Sequence, residues 1–408
     1  MRLGDALEVL IDHRGKTPKK LGGDWTTTGH RVVSALNIKG SRVDGNDHHY
    51  ISGEMYRRWM KIPLRKGDVL LTSEAPTGEV AFISDDVDWA VGQRVFALRG
   101  NPNLLDGRYL YYALRGGQLR DDMMSRTSGT TVQGIRQAEL VKVGIELPPL
   151  TEQRRIASML GALDDKIDAN RRLVETGEQL LRAKVQLAVD TSSGDSGILA
   201  DYCDLVKATV KAEDITHSTN YVGFEHMPRG SVFLHDWTTS EGLGSHKASF
   251  ERGDVLFGRL RPYFKKVGIA PVGGVCSTDI LVIRPKNPRD LGLITCIAAS
   301  DALINSLAAS STGTRMPRAA WADVASWPVP RLTESELKAL DKNVTPLIDR
   351  LESVTLESRR LAALRDSLIP ELLSGRVRVS VKEVVDSSNV VEGTPVLDPR
   401  EDTSVADE

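Results

Sequence analysis

Leu147-Pro148-Pro149-Leu150-Thr151-Glu152-Gln153-Arg154-Arg155-Ile156 decides how this chain is organised. It launches a long helix, and a close copy returns as Val329-Pro330-Arg331-Leu332-Thr333-Glu334-Ser335-Glu336-Leu337. The prolines hold the incoming backbone extended. Thr151 and Thr333 then stand where a hydroxyl caps the first free amides of a helix. Thr333 with Glu336 has the spacing of a capping box, and Leu332 with Leu337 that of a hydrophobic staple. Thr151 has Arg154 where the box wants Glu, so only the second copy is complete.

A heptad seam follows each start. After Thr151 it runs Ile156, Leu160, Leu163, Ile167, Asn170, Val174, Gly177 and Leu181. After Thr333 it runs Leu337, Leu340, Val344, Leu347, Leu351, Val354, Ser358, Leu361, Arg365, Leu368 and Leu372. Two such seams bury each other as an antiparallel or a parallel pair. Each helix is then roughly 50 to 60 Å long, a strut joining two globular domains. The chain between the seams is far too long for a hairpin loop. Asn170 either fixes the register of the pair or is a polar residue tolerated near solvent. Pro346 predicts a kink with Thr345 capping a restart, and Pro370 a disturbed last turn before Ser374-Gly375 ends the helix.

Outside the helices the chain repeats itself. Leu64-Arg65-Lys66-Gly67-Asp68-Val69-Leu70-Leu71 returns 186 positions later as Phe250-Glu251-Arg252-Gly253-Asp254-Val255-Leu256-Phe257. Thr127-Ser128-Gly129-Thr130-Thr131-Val132 returns 184 positions later as Ser311-Thr312-Gly313-Thr314-Arg315-Met316, and the capping threonines are 182 apart. Turn and strand, Thr/Gly loop, proline lead-in and capped helix recur in one order, the signature of an internal repeat. Within 1–150, Leu3 to Ile11 reads as an amphipathic opening. Arg31 to Leu36, Val69 to Thr72, Glu79 to Ile83 and Arg94 to Leu98 read as strands, and Asp106 to Arg115 as a short helix. The fold class is therefore α+β, with two tandem mixed α/β domains, each followed by a long helix. The segments are 1–150, helix 151–190, 191–332, helix 333–376 and an acidic, loosely held tail 377–408.

With 408 residues, 40% of them hydrophobic and 26% charged, the chain is of ordinary globular composition. The net charge of −2 excludes a global basic field, so binding of nucleic acid must rest on local patches. Cys203, Cys276 and Cys296 form no CxxC pair, which opposes both a structural zinc and a disulfide framework. No apolar signal core and no membrane-length apolar run is present, so a cytoplasmic location is expected.

Catalytic and metal-binding patterns are largely missing. Gly15-Lys16-Thr17 resembles the end of a P-loop, but Leu10 stands where its first glycine must be. There is no HExxH or GxSxG, and no Asn/Asp-Pro-Pro-Tyr/Phe stretch of an amino-methyltransferase. Adjacent His48 and His49 face opposite sides of a strand, and Asp85, Asp86 and Asp88 read as a solvated turn. Neither a catalytic nor a metal site is expected.

What remains suits nucleic acid. Hydroxyls, exposed amides and Arg bond phosphates and base edges, and both repeats carry loops rich in them. The candidates in the first repeat are Lys16, Thr17, Lys19 and Lys20 of a basic loop, then Ser128, Gly129, Thr130, Thr131, Gln133 and Arg136. In the second they are Arg259, Arg261, Tyr263 and Lys265, cations interleaved with aromatics, then Thr312, Gly313, Thr314, Arg315 and Arg318. Gln133 suits adenine, and Arg136 or Arg315 guanine.

Leu147 to Ala157, Leu163-Asp164-Asp165-Lys166-Ile167-Asp168 and Leu368-Ile369-Pro370-Glu371-Leu372-Leu373-Ser374-Gly375 resemble the DNA specificity subunit of type I restriction-modification systems. That resemblance covers all but the acidic tail. It implies two target-recognition domains, each reading half of a split double-stranded DNA target, and an antiparallel coiled coil that spaces them. It also implies two modification subunits docked on the helices. Those partners bind S-adenosylmethionine and methylate adenine, while separate motor and nuclease restriction subunits cut. The chain itself is then no enzyme and holds no cofactor. Ile156, Leu160, Leu163, Ile167, Asn170, Leu340, Val344, Leu347, Leu351 and Leu361 would form the coil and partner surface. Pro330-Arg331 in place of a double proline, and Ser335 in place of Gln153, question a strictly symmetric docking. A self-contained nuclease or methyltransferase, and a protein-binding scaffold, are the alternatives.

Overall fold

A computed structural model of the chain describes residues 1–44, 49–130, 132–310, 317–381 and 395–399. It divides into two compact units, Met1–Asp164 with the described residues from Ala363 on, and Asp165–Ala362. Both boundaries fall inside the long helices, Leu150–Asp190 and Glu334–Leu373, so each unit holds a segment of both helices rather than a linear stretch of chain.

In the first unit a four-stranded antiparallel sheet has the order Leu7–Asp12, Val95–Gly100, Val69–Thr72, Val80–Phe82. The turn before Val69 needs Gly67, whose φ is +93°. The next residue, Asp68, is buried, accepts from the Arg65 amide at 2.8 Å and takes both Arg99 Nε and Nη2. A bidentate guanidinium is what makes a carboxylate tolerable in that position. The expected amphipathic opening divides into a helical turn, Leu3–Ala6, and the edge strand Leu7–Asp12. The helix Gly107–Ala113 starts on Asp106, whose carboxylate accepts the Tyr109 amide at 2.9 Å. A smaller sheet pairs His30–Val33 antiparallel with His49–Ile51 and parallel with Ala90–Val91.

The second unit has a four-stranded antiparallel sheet in the same order: Cys203–Leu205, Ile280–Pro285, Val255–Gly258, Val267–Ile269. Gly253 has φ +86°, Asp254 accepts from the Glu251 amide at 2.7 Å, and Arg284 grips it through Nε and Nη2. Asn220–Val222 runs parallel to Gly274–Cys276, as His30–Val33 does to Ala90–Val91.

The helix starts differ from expectation in one copy. Thr333 caps as expected: its hydroxyl accepts the Glu336 amide, and Glu336 accepts the Thr333 amide at 2.7 Å. Thr151 does not cap. The first helix already begins at Leu150, with the Glu152 and Gln153 amides bonded to the Pro149 carbonyl. Gln153 organises this start instead. It is fully buried, donates to the Leu104 and Pro148 carbonyls at 2.9 and 2.8 Å, and accepts the Asp106 amide at 2.9 Å. The second helix runs through Pro346 and keeps its last turn past Pro370 to Leu373, with Gly375 at φ +69° beyond it. Thr345 does not cap a restart; its hydroxyl bonds Asp341 at 2.5 Å.

Most seam residues are buried where the heptads place them. In the first unit Ile156 and Leu160 share a core with Ile369 and Leu372. In the second, Leu181 packs with Leu337, Leu340, Val344 and Leu351, and a Cβ on Gly177 would meet Leu351 at 2.5 Å. Buried Asn170 donates to Glu357 at 2.8 Å, and Lys166 lies 3.5 Å from the same carboxylate. At two positions the strict heptad fails. Ile348 and Ile369 are buried while Leu347 and Leu368 are half-buried. Leu163 and Leu361 are half-buried too. An undistorted helix turns every 3.6 residues, so a strict 3.5-residue frame drifts off its face.

Arg365, a polar residue in the second seam, belongs to a network inside the first unit. It bonds Asp164 at 2.5 Å, and Tyr112 bonds the same carboxylate at 2.6 Å. Burial alone would lower the Arg365 pKa, but its bonds to Asp164 and Asp366 outweigh that and raise it. Within the stretch expected as a loose tail, Val377–Val381 pairs antiparallel with Pro395–Pro399, and Val379 is buried against the first unit's core.

Candidate functional site

In the first unit the basic loop lies against a cleft of about 350 Å³. Lys16 lines it and donates to the Trp59 carbonyl at 3.1 Å. Burial, then neighbouring Lys61, holds the Lys16 pKa below its usual value. The same burial, with Lys16 itself, lowers nearby His13 to about 4. Thr17 accepts the Lys20 amide, Lys20 folds back onto the Gly15 carbonyl, and Lys19 is exposed. Trp25, 43% exposed, stands edge-on to His49 at 4.9 Å. Asp85, Asp86 and Asp88 are exposed, as expected for a solvated turn.

The Thr/Gly loop is tied to the same region. Ser128 and Gly134 exchange backbone hydrogen bonds at 2.9 Å, closing a tight loop in which Gly129 has φ +129°. Thr77 donates to the Gln133 carbonyl at 2.6 Å, and the Ile135 amide to the Ser73 carbonyl at 2.8 Å. Glu74, bridged to Gly134, pairs with Arg94 at 3.0 Å, and Arg94 with Ala75 lines the cleft that holds Lys16. Lys16 and the loop Ser128–Gln133 are thus brought into one neighbourhood through Glu74, Ala75 and Arg94. Ser128, Gly129, Thr130, Gln133 and Arg136 are exposed; Thr131 lies outside the described residues.

The second unit builds an equivalent joint with other side chains. The Ala319 amide bonds the Arg259 carbonyl at 2.9 Å, and Leu260 bridges Arg318. These are the counterparts of Ile135 to Ser73 and of Glu74 to Gly134. Arg261 has φ +49° before Pro262, as Ala75 has φ +52° before Pro76. Arg259 is half-buried with its Nε enclosed, Tyr263 is 51% exposed, and Phe264 lies under Arg229 at 4.7 Å. Lys265 is committed to Asp301 at 2.6 Å and Arg318 to Asp279 at 3.0 Å. Thr312, Gly313, Thr314 and Arg315 lie outside the described residues.

Sequence reading missed Glu74, Thr77, Gln93 and Arg94. One signal was available: Ala75-Pro76 and Arg261-Pro262 are 186 apart, the offset of the preceding strand. The cysteines are buried and unpaired, with thiols pushed up to about 12 by burial. Among the described residues, no single helix is long and apolar enough to cross a membrane. The arrangement offers hydroxyls, free amides and guanidinium groups on exposed turns, which bind anions and base edges.

Comparison with known proteins fits this surface. The profile of the type I restriction modification DNA specificity domain matches residues 1–176. The chain is similar to the specificity subunits of type I restriction-modification systems. It is 20% identical over 329 residues to the EcoDI specificity subunit of Escherichia coli, covering 70% of this chain and 72% of that one. It is 21% identical over 343 residues to the MjaIX specificity subunit of Methanocaldococcus jannaschii, covering 77% and 78%. A crystal structure of a type I restriction-modification S subunit from M. genitalium superposes with a TM-score of 0.57 at 17% identity, covering 91% and 95%. At that identity the likeness is one of fold. The curated relatives it matches over most of their length are specificity subunits.

Proposed function

We propose that this chain is the non-catalytic subunit that sets the DNA sequence acted on by a type I restriction-modification complex. Two recognition domains, 1–150 and 191–332, would each bind one half of a bipartite target. Because the two carry different side chains on equivalent turns, the halves differ. The observation that carries this reading is the repeated joint: the segment after each Thr/Gly stretch is fastened to the turn after the third strand of the sheet order, Ile135 on Ser73 and Ala319 on Arg259. Repeated folds presenting similar surfaces suit a target with two half-sites.

The long helices would pair as an antiparallel coiled coil. Opposed contacts support this in the second unit, where Lys166 meets Glu357 and Leu181 shares a core with Leu340. The coil would dock two modification subunits, which carry S-adenosylmethionine, and the restriction subunits would join that assembly. With a net charge of −2, the chain depends on these partners for part of the phosphate neutralisation. Its affinity for duplex DNA, measured with and without the modification subunits, tests the reading. Weak, unselective binding alone and selective binding in the complex are expected. Tight selective binding by the lone chain refutes the dependence on partners, and no selectivity in either form refutes the function.

A further inference from the structure

Resting on that reading, we propose that the first unit reads an A·T base pair with Gln93 and Leu36, making Gln93 a specificity-determining residue outside the Thr/Gly loop. Both residues line the cleft that also holds Lys16, Trp25 and Arg94. The turn that carries Gln93 is held through its backbone. The Gly92 amide donates to the Val33 carbonyl at 2.7 Å, the Gln93 carbonyl accepts the Ala35 amide, and the Arg94 carbonyl accepts the Ser73 amide at 2.8 Å. Gly92 sits so close to the neighbouring strand that a Cβ would meet the Val33 carbonyl oxygen at 2.9 Å. The Gln93 side chain is exposed and takes no part in holding the turn, while exposed Arg94 pairs with Glu74.

Gln93 makes no side-chain hydrogen bond among the described residues, so its amide keeps a donor and an acceptor side by side. That pair matches the N6 donor and N7 acceptor of adenine in the major groove. Leu36, next to Ala35 whose amide bonds the Gln93 carbonyl, is 66% exposed on a turn fixed by Ser34 and Asn37, which are bonded at 3.0 Å. An exposed leucine held rigidly beside a free amide suits the 5-methyl group of the paired thymine. Lys16 and Arg94 flank the two and suit the phosphates on either side, Arg94 being steadied by Glu74 at 3.0 Å.

The equivalent turn of the second unit keeps two of these backbone hydrogen bonds, one of them from the Ser277 amide to the Val222 carbonyl at 3.0 Å, and carries different chemistry. The Asp279 carbonyl accepts the Arg259 amide at 2.9 Å, as the Arg94 carbonyl accepts the Ser73 amide, so a carboxylate stands where the first unit has a guanidinium. Exposed Thr278 stands in the place of Gln93. A position that keeps its backbone anchors while its side chain changes is what two readers of unequal half-sites require.

The test is selection from a random-sequence DNA duplex library by the complex of full chain and modification subunits. Wild type, Gln93→Ala, Gln93→Glu and Leu36→Ala are compared, and thermal unfolding checks that each variant folds. Gln93→Ala and Leu36→Ala are expected to lower discrimination roughly tenfold at one A·T position in one half of the motif, leaving the other half unchanged. Gln93→Glu, an acceptor only, is expected to shift that position toward cytosine. Folded variants that return the wild-type motif overturn the assignment. A wild-type complex that enriches no motif overturns the recognition function beneath it, a distinguishable result.

Discussion

Gln153 shows how much one side chain decides here. Its amide satisfies the Leu104 and Pro148 carbonyls and the Asp106 amide at once, joining the start of the first helix to the start of the short helix at Gly107. Gln153→Ala leaves those buried groups without partners, and the expected loss is about 2 to 3 kcal/mol. The midpoint of denaturant unfolding measures it; a change within the scatter of surface substitutions would contradict this role. Asp164 has a comparable position, accepting from Tyr112 and Arg365. Asp164→Ala is expected to cost about 2 kcal/mol by leaving buried Tyr112 and half-buried Arg365 without their shared acceptor, read the same way. Neither role was legible from spacing. Gln153 and Asp106 are far apart in sequence, and Asp164 and Arg365 farther still, so only tertiary packing unites them. Thr151 looked like the cap because hydroxyls usually cap, but the buried Gln153 already orders that start.

At the level of elements, the helices were the most legible part, since a period sustained over 41 and 40 residues leaves little ambiguity. Sheet order was not legible, because period-two alternation identifies a strand but not its neighbour. Asn170 is buried, and Glu357, which accepts from it, is half-buried and retains access to water. Asn170→Leu is therefore expected to raise the unfolding midpoint, by about 1 kcal/mol of stability, while loosening register; a lowered midpoint would contradict this. The second helix start adds a pH signature. Backbone amides of Ser193 and Thr333 hold Glu336 at about 2, below the usual glutamate value of 4.5. A depressed folded-state pKa contributes stability that is complete above 4.5 and is lost as pH falls toward about 2. Comparing melting temperatures of wild type and Glu336→Gln across that window should show a difference at neutral pH that closes on acidification. A difference independent of pH would rule the charge out.

For the whole molecule, repetition was readable as offsets near 186. The same strand order and the same buried Asp–Arg clamp, Asp68 with Arg99 and Asp254 with Arg284, appear in both units. The surface was less readable. Lys265 and Arg318 look like free cations in the sequence but are ion-paired, while Gln93 and Arg94 stand on a turn whose left-handed φ of +61° at Arg94 has no sequence signature. On the proposed reading, labour divides at this scale: each unit would recognise, and partners docked on the helices would act. The most direct measurement is a genome-wide map of methylated adenines in cells carrying the modification subunits, with and without this chain. Loss of methylation at one motif, made of two unlike halves at a fixed gap, is the predicted result; an unchanged map would contradict the function assigned to the chain.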